Sequence, residues 1–413
     1  MAAVQITGIT RVNGDANNYD IRQGFGAAET FTVRNDDAIF NTADAVPAPP
    51  TEAARPAAFL FAAANIPLTV NGTYGFPVGL AAYRLRGDGP GGFQITSQNF
   101  NATGVAGGAA VPFTATVFSH AGPQPASPFK VAGDWTWTIL PAAGGGGIAT
   151  SAGTRLEVYF MLGDHDVPFP FAATQILELI RLSFPTYGTI AGQPWANIEG
   201  PLIWEITQRL WLLGRPGLFY DSTFATGGAA QHLLGTNFNL ETMVSTVGVR
   251  TCNCYDLASL VKLALGSLGK KPDPANNGAE IPVISNVRIV ADEPWGYIPS
   301  GPLFGWSGSL AHQCNNPFWI NRGGPGVHAA PQVPQMDPQR TAFRAHCYTT
   351  FTDHAGVVRP IDVCHAVINP AGGLNLTGGA VDVPTYQGGS IQAGPVAYGP
   401  PVPQNVVVNW VQL

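Results

Sequence analysis

Five cysteines occur in this 413-residue chain, at Cys252, Cys254, Cys314, Cys347 and Cys364. An odd number confined to the C-terminal part fits a chemical site better than a disulfide framework, which favours short chains and even pairing. Two of them head the stretch RTCNCYDLASLVKLALGSLG, from Arg250 to Gly269. Behind them Leu257, Leu260, Val261, Ala264, Leu265 and Leu268 recur at the spacing of one helical face. Gly269 and Pro272 end that pattern. Asn253 or Thr251 can cap its start, and Asp256 falls in the first turn, where acids are favoured. Cys254 is therefore expected at a helix N-terminus. The dipole and N–H groups there stabilise a thiolate and can receive a developing oxyanion. The competing reading is a small buried apolar residue, which is what most free cysteines are.

A thiol nucleophile needs a base, and the base needs an orienting group. The segment FRAHCYTTFTDHAGVVRPIDVC, from Phe343 to Cys364, reads as two strands about a turn at Asp353-His354-Ala355-Gly356. With the turn centred on His354, antiparallel pairing sets His346 opposite Asp362. Directly paired side chains share a face. A one-residue slip would part them, and both would then be ordinary sheet polar residues.

A helix opening Cys254-Tyr255-Asp256-Leu257-Ala258, then His346 in RAHCYTTF, then Asp362 in RPIDVC, resembles the transglutaminase-like (papain-like) cysteine proteinase superfamily. The match runs from about Ile176 to Val367 and is sharpest in the helix. It departs from the family in two places. Cys252 and Asn253 stand where the family often has Gly, and the segment before His346 is long. The resemblance implies Cys254 as nucleophile, His346 as base and Asp362 as the group that orients the imidazole. It also implies a sheet packed on the cysteine helix. The activity implied is amide hydrolysis or acyl transfer to an amine, acting on a protein or peptide, with no cofactor.

Other readings compete. Cys252, Cys254, His346, Cys347, Cys364 and His365 are six soft ligands in three places, so a structural zinc is the main rival. Cys-x-Cys is tighter than the usual zinc spacing, and hairpin parity turns Cys347 and His365 away from His346. No metal is expected. Ser307 in GWSGS lacks the final glycine of a nucleophile elbow. Trp295, Trp306 and Trp319 lie in a long loop before His346, either pinning it to the body or walling a substrate cleft. A non-catalytic structural or binding protein with an enzyme-like half is the remaining alternative.

The elements that must position these residues point to an α+β protein. Residues 1–165 alternate in short runs such as DWTWTIL and VPFTATVF, separated by NGD, RNDD and GDGPGG, and predict an N-terminal β-sandwich with a docking or structural role. VPAPPTEAARPAA, residues 46–58, is expected as an exposed loop. Residues 166–413 then form the transglutaminase-like unit: a helix in QILELIRLSF, a helix opening at Pro201 and closing on Gly214, the cysteine helix, several strands and a β-like tail. Gly and Pro number 50 and 36, which means many loops. Net charge is −6 with 11% charged residues, and no basic stripe exists to bind nucleic acid. No apolar run is long enough for a membrane span. The N-terminus lacks a secretory signal pattern, so a cytoplasmic location or signal-independent export is expected.

Overall fold

A computed structural model describes residues 4–11, 18–23, 31–33, 38–41, 56–60, 68–75, 82–101, 111–120, 128–151, 153–161, 174–187, 195–214, 218–221, 230–234, 237–244, 250–268, 270–272, 280–282, 285–293, 301–302, 304–305, 313–314, 346–368, 374–378 and 381–390. Among them the fold is mixed α+β, and one large sheet dominates it.

Two-residue alternation builds that sheet. Trp135, Trp137 and Ile139 are fully buried, while Asp134 is exposed and Thr136 half-buried. Phe113, Ala115 and Val117 alternate in the same way with Pro112, Thr114 and Thr116. Thr138 breaks the rule and is buried as well. The short strand Ala149–Thr150 pairs beside it, and Gly147 lies against its methyl group.

The sheet has 14 strands. From one edge its main path runs Thr174–Ile176, Asn18–Gln23, Ala57–Leu60, Thr154–Met161, Phe129–Pro141, Ala82–Asp88, Gln94–Ser97, Val111–His120, Leu68–Tyr74, Val4–Arg11 and Ala38–Asn41. A sandwich would divide these strands between two sheets. Here one strand joins them, because the first half of Phe129–Pro141 pairs with Thr154–Met161 and its second half with Ala82–Asp88. The change of partner falls between Trp135 and Thr136, and Gly133, within the first half, has φ 136°, a conformation that side-chain-bearing residues rarely adopt. The sheet curls until Ala38–Asn41 lies against Thr154–Met161 and Val4–Arg11 against Phe129–Pro141, a nearly closed barrel. The Pro/Ala-rich run also departs from expectation at its end, where Ala57 and Ala58 enter a strand and are fully buried.

The helical half grows directly out of the sheet. Thr174–Ile176 adds a strand beside Asn18–Gln23, and the helix Leu177–Ser183 follows at once. The next helix, Trp195–Trp211, begins six residues before Pro201 and runs through it, so Pro201 does not mark its start. Ala58, Tyr159 and Met161 of the sheet share one apolar core with Leu179, Ile203 and Leu260 of the helices. Glu157, fully buried in the sheet, accepts from Arg181 Nε at 2.8 Å and from Nη2 at 2.7 Å, and from the Tyr159 hydroxyl.

A second, four-stranded antiparallel sheet follows, ordered Ser285–Glu293, His346–Thr352, Val358–Ile368 and Leu374–Gly378. The cysteine helix, Cys254–Gly266, packs on its first three strands. The β-like C-terminal tail lies outside the described residues.

Arg181→Met strands a buried carboxylate across the junction. It should lower the free energy of urea unfolding by about 3 kcal/mol. Arg209→Met, at an i,i+4 pair on a partly exposed helix face, should lower it by only about 0.5 kcal/mol.

Candidate active site

Local chemistry sets the start of the cysteine helix. Asn253 has extended backbone at φ −123°, ψ −173° and is the N-cap. Its side chain accepts from Asp256 N at 3.1 Å, and Asp256 Oδ2 accepts from Asn253 N at 3.0 Å, a reciprocal capping box. Cys254 is consequently the first helical residue. Asp256 does more than cap. Its carboxylate also accepts from Gln231 N at 3.0 Å and His232 N at 2.8 Å, fixing that segment beside the helix start.

The histidine comes from the strand His346–Thr352, which Thr349 ties to the helix through a 2.7 Å bond from its hydroxyl to Ala258 O. Pairing with the next strand runs Thr349 to Ile361, Phe351 to Arg359 and Thr352 to Val358. The hairpin is therefore centred on Ala355, not His354. Asp353 sets that centre by accepting from Ala355 N at 2.9 Å and Val357 N at 2.8 Å, with Gly356 at φ 79°. Continued through the ladder, this register places Tyr348 opposite Asp362 and leaves His346 diagonal to it. The displacement is by two residues, so parity is kept and the two side chains share a face. His346 Nε2 lies 2.7 Å from Asp362 Oδ2, and both side chains are buried.

The His346 ring also interacts with the Cys254 thiol. Burial alone would depress the imidazolium, yet the Asp362 carboxylate and the thiol outweigh it and raise the pKa to about 10. Asp362 is held on three sides. Oδ2 accepts from His346 and from the Tyr386 hydroxyl, and Oδ1 accepts from Cys364 N at 2.7 Å.

Two tyrosines at this site were not foreseen. Tyr220 ends the strand Leu218–Tyr220, which pairs in parallel with Arg250–Cys252 and so delivers Tyr220 beside Cys252. Its hydroxyl interacts with the Cys254 thiol, and burial followed by the nearby thiols pushes its pKa well up. Tyr220 N donates to Phe304 O at 2.9 Å, and Phe304 N donates to Cys364 O at 2.9 Å, joining the tyrosine to the aspartate strand. Tyr386 comes from the helix Val383–Ser390. Asp382 followed by Pro384 is a readable helix start, but nothing in the sequence aims Tyr386 at Asp362.

The other thiols differ from Cys254. Cys252 is fully buried and its sulfur faces Phe219 O at 3.6 Å; burial, then the charge of Asp256, holds it protonated. Cys364 is likewise pushed up by burial and Asp362. Cys347 is buried in the core, as parity suggested. Relative exposures are 5% for Cys254, 2% for Cys364 and 0% for Cys252 and Cys347, so Cys254 is the most open of the four. Trp295, Trp306 and Trp319 lie outside the described residues.

His346, Asp362 and Cys364 bring ligand atoms within 4.8 Å of one another, the one such cluster among the described residues. Their donors do not suit a zinc. Asp362 already accepts three hydrogen bonds, one of them from the histidine that would have to turn to the metal, and a closed zinc site wants four ligands.

No protein-family model matches the chain, and no curated protein matches it in sequence.

The His346–Asp362 pair has a pH signature. The folded pKa of His346, about 10, exceeds its ordinary 6.5. The pair's contribution is therefore complete below about pH 6.5 and is lost as pH rises toward 10. In a Cys254→Ala background, where no thiol proton is exchanged with the ring, urea-unfolding stability should fall from pH 6.5 to 8.5 by up to about 1.4 kcal/mol per unit. Adding Asp362→Asn should flatten that slope.

Proposed function

We propose that this chain is a thiol-dependent amide hydrolase or acyltransferase of transglutaminase-like type. The observation that carries the reading is a buried imidazole–carboxylate pair set against a thiol at a helix N-terminus. These residues come from three separate elements, the helix Cys254–Gly266 and the strands His346–Thr352 and Val358–Ile368. The cysteine helix packed on an antiparallel sheet supports the same family reading. So does the order of the three residues along the chain.

In this mechanism His346 is already the imidazolium when the Cys254 sulfur attacks, and the proton that the thiol gives up resides on Nδ1, since Nε2 is committed to Asp362. The sulfur attacks an amide carbonyl carbon of a protein or peptide. The helix N-terminus offers partial positive charge to the carbonyl oxygen as it becomes an oxyanion. His346 returns the proton to the departing amine, leaving a thioester on Cys254. Water or a second amine, deprotonated by His346, then attacks the thioester. The products are an acid or a new amide, and the thiol is regenerated. No cofactor enters any step. The large curled sheet would serve as the docking surface for a partner or substrate.

Iodoacetamide at mildly acidic pH, with adducts mapped by mass spectrometry, tests the nucleophile. Cys254 should react at least about tenfold faster than Cys252, Cys347 and Cys364, as expected for a thiol set against an imidazole compared with thiols packed in the core. His346→Gln should remove that advantage. Equal, slow labelling of all cysteines in the folded wild type would refute the assignment.

A further inference from the structure

Tyr386 sits in a helix with little reason to form on its own. The helix Val383–Ser390 reads VPTYQGGS and contains two glycines. Its first turn is fixed by Asp382, whose Oδ1 accepts from Thr385 N at 2.9 Å and whose carbonyl accepts from Tyr386 N at 3.0 Å. Of Val383, Pro384, Thr385 and Tyr386, only Tyr386 is buried. Its ring meets Tyr348 edge-on at 5.3 Å, and its hydroxyl ends on Asp362 Oδ2. That is the same oxygen that His346 Nε2 uses.

Two donors on one oxygen compete for its charge. We infer that Tyr386 is a positioning residue that moderates the hold of Asp362 on the imidazolium, so that His346 can release its proton to a leaving amine. An unmoderated buried carboxylate would bind the imidazolium more tightly and make it a weaker acid. The groups around the pair are Cys254 from the cysteine helix, Tyr220 from its strand, Cys347 and Tyr348 on the histidine strand, and Cys364 on the aspartate strand. Beside them, the Tyr386 hydroxyl donates to the carboxylate oxygen that His346 uses, and the Cys364 thiol also bonds the Asp362 carboxylate. The catalytic consequence rests on the thiol mechanism proposed above, whereas the electrostatic one does not.

The test uses Tyr386→Phe, which keeps the ring and removes the hydroxyl. In the full chain with ¹⁵N-labelled histidine, the low-field proton of His346 Nε2–H should move further downfield at pH 8, because its acceptor oxygen is no longer shared. Release of acetate-bound 4-nitroaniline from 4-nitroacetanilide needs a proton from His346. That rate should fall about tenfold. Acylation by 4-nitrophenyl acetate, whose phenolate leaves unprotonated, should stay within about twofold. A purely packing role would leave the resonance in place and change both rates together. Should Tyr386→Phe fail to fold, Asp382→Ala loosens the first turn and should give a smaller downfield shift. An unmoved resonance in the folded variant overturns the inference. A moved resonance in a protein whose Cys254 acylates with neither probe keeps the moderating role and overturns the thiol mechanism instead.

Discussion

A carboxylate placed deep in a protein must be surrounded by donors, or it loses its charge. Asp362 meets that demand with an imidazole, a phenol and a backbone N–H, each from a different stretch of chain. Satisfying it fixes the histidine strand against the aspartate strand and draws the short C-terminal helix onto them. The same demand sets the state of His346, which stays charged in a place where burial alone would discharge it. The site is thus organised around one buried negative charge, and the thiol is brought to it from outside that network.

Asp256 plays the matching part for the thiol. It is fully buried, and three backbone N–H groups converge on it, from Asn253, Gln231 and His232. These bonds fix where the helix begins, and therefore which cysteine becomes its first residue. Moving the start by one residue would turn Cys254 away from His346. Cys252, two positions earlier, belongs to a strand and points into the core. The two cysteines differ in surroundings because a capping box falls between them.

The residues of the site were more legible than their geometry. Helical spacing after Cys254 and the cap at Asn253 could be read directly, because both depend on neighbours within one turn. The hairpin could be read except for its centre. Asp353 places that centre at Ala355 through a side-chain turn, which a symmetric count about His354 overlooks. Tyr220 and Tyr386 could not be read at all, since each reaches the site by long-range packing. The first half shows the same limit. Alternation identified its strands, but not that Phe129–Pro141 bridges what would otherwise be two sheets. Pro201 misled for a related reason, since tertiary burial of Leu202, Ile203 and Ile206 holds a helix through a residue that favours starting one.

The strand Thr174–Ile176 has an implication for how the protein is made. It closes one side of Asn18–Gln23, a strand synthesised far earlier. Until that later segment leaves the ribosome, the backbone groups on that side of Asn18–Gln23 have no ladder to complete. A nascent chain halted before it would present an open sheet edge of the kind that recruits other strands. The first half is therefore protected against aberrant pairing by the same stretch that leads into the helices. The safest moment in its biogenesis comes only once the second half has begun.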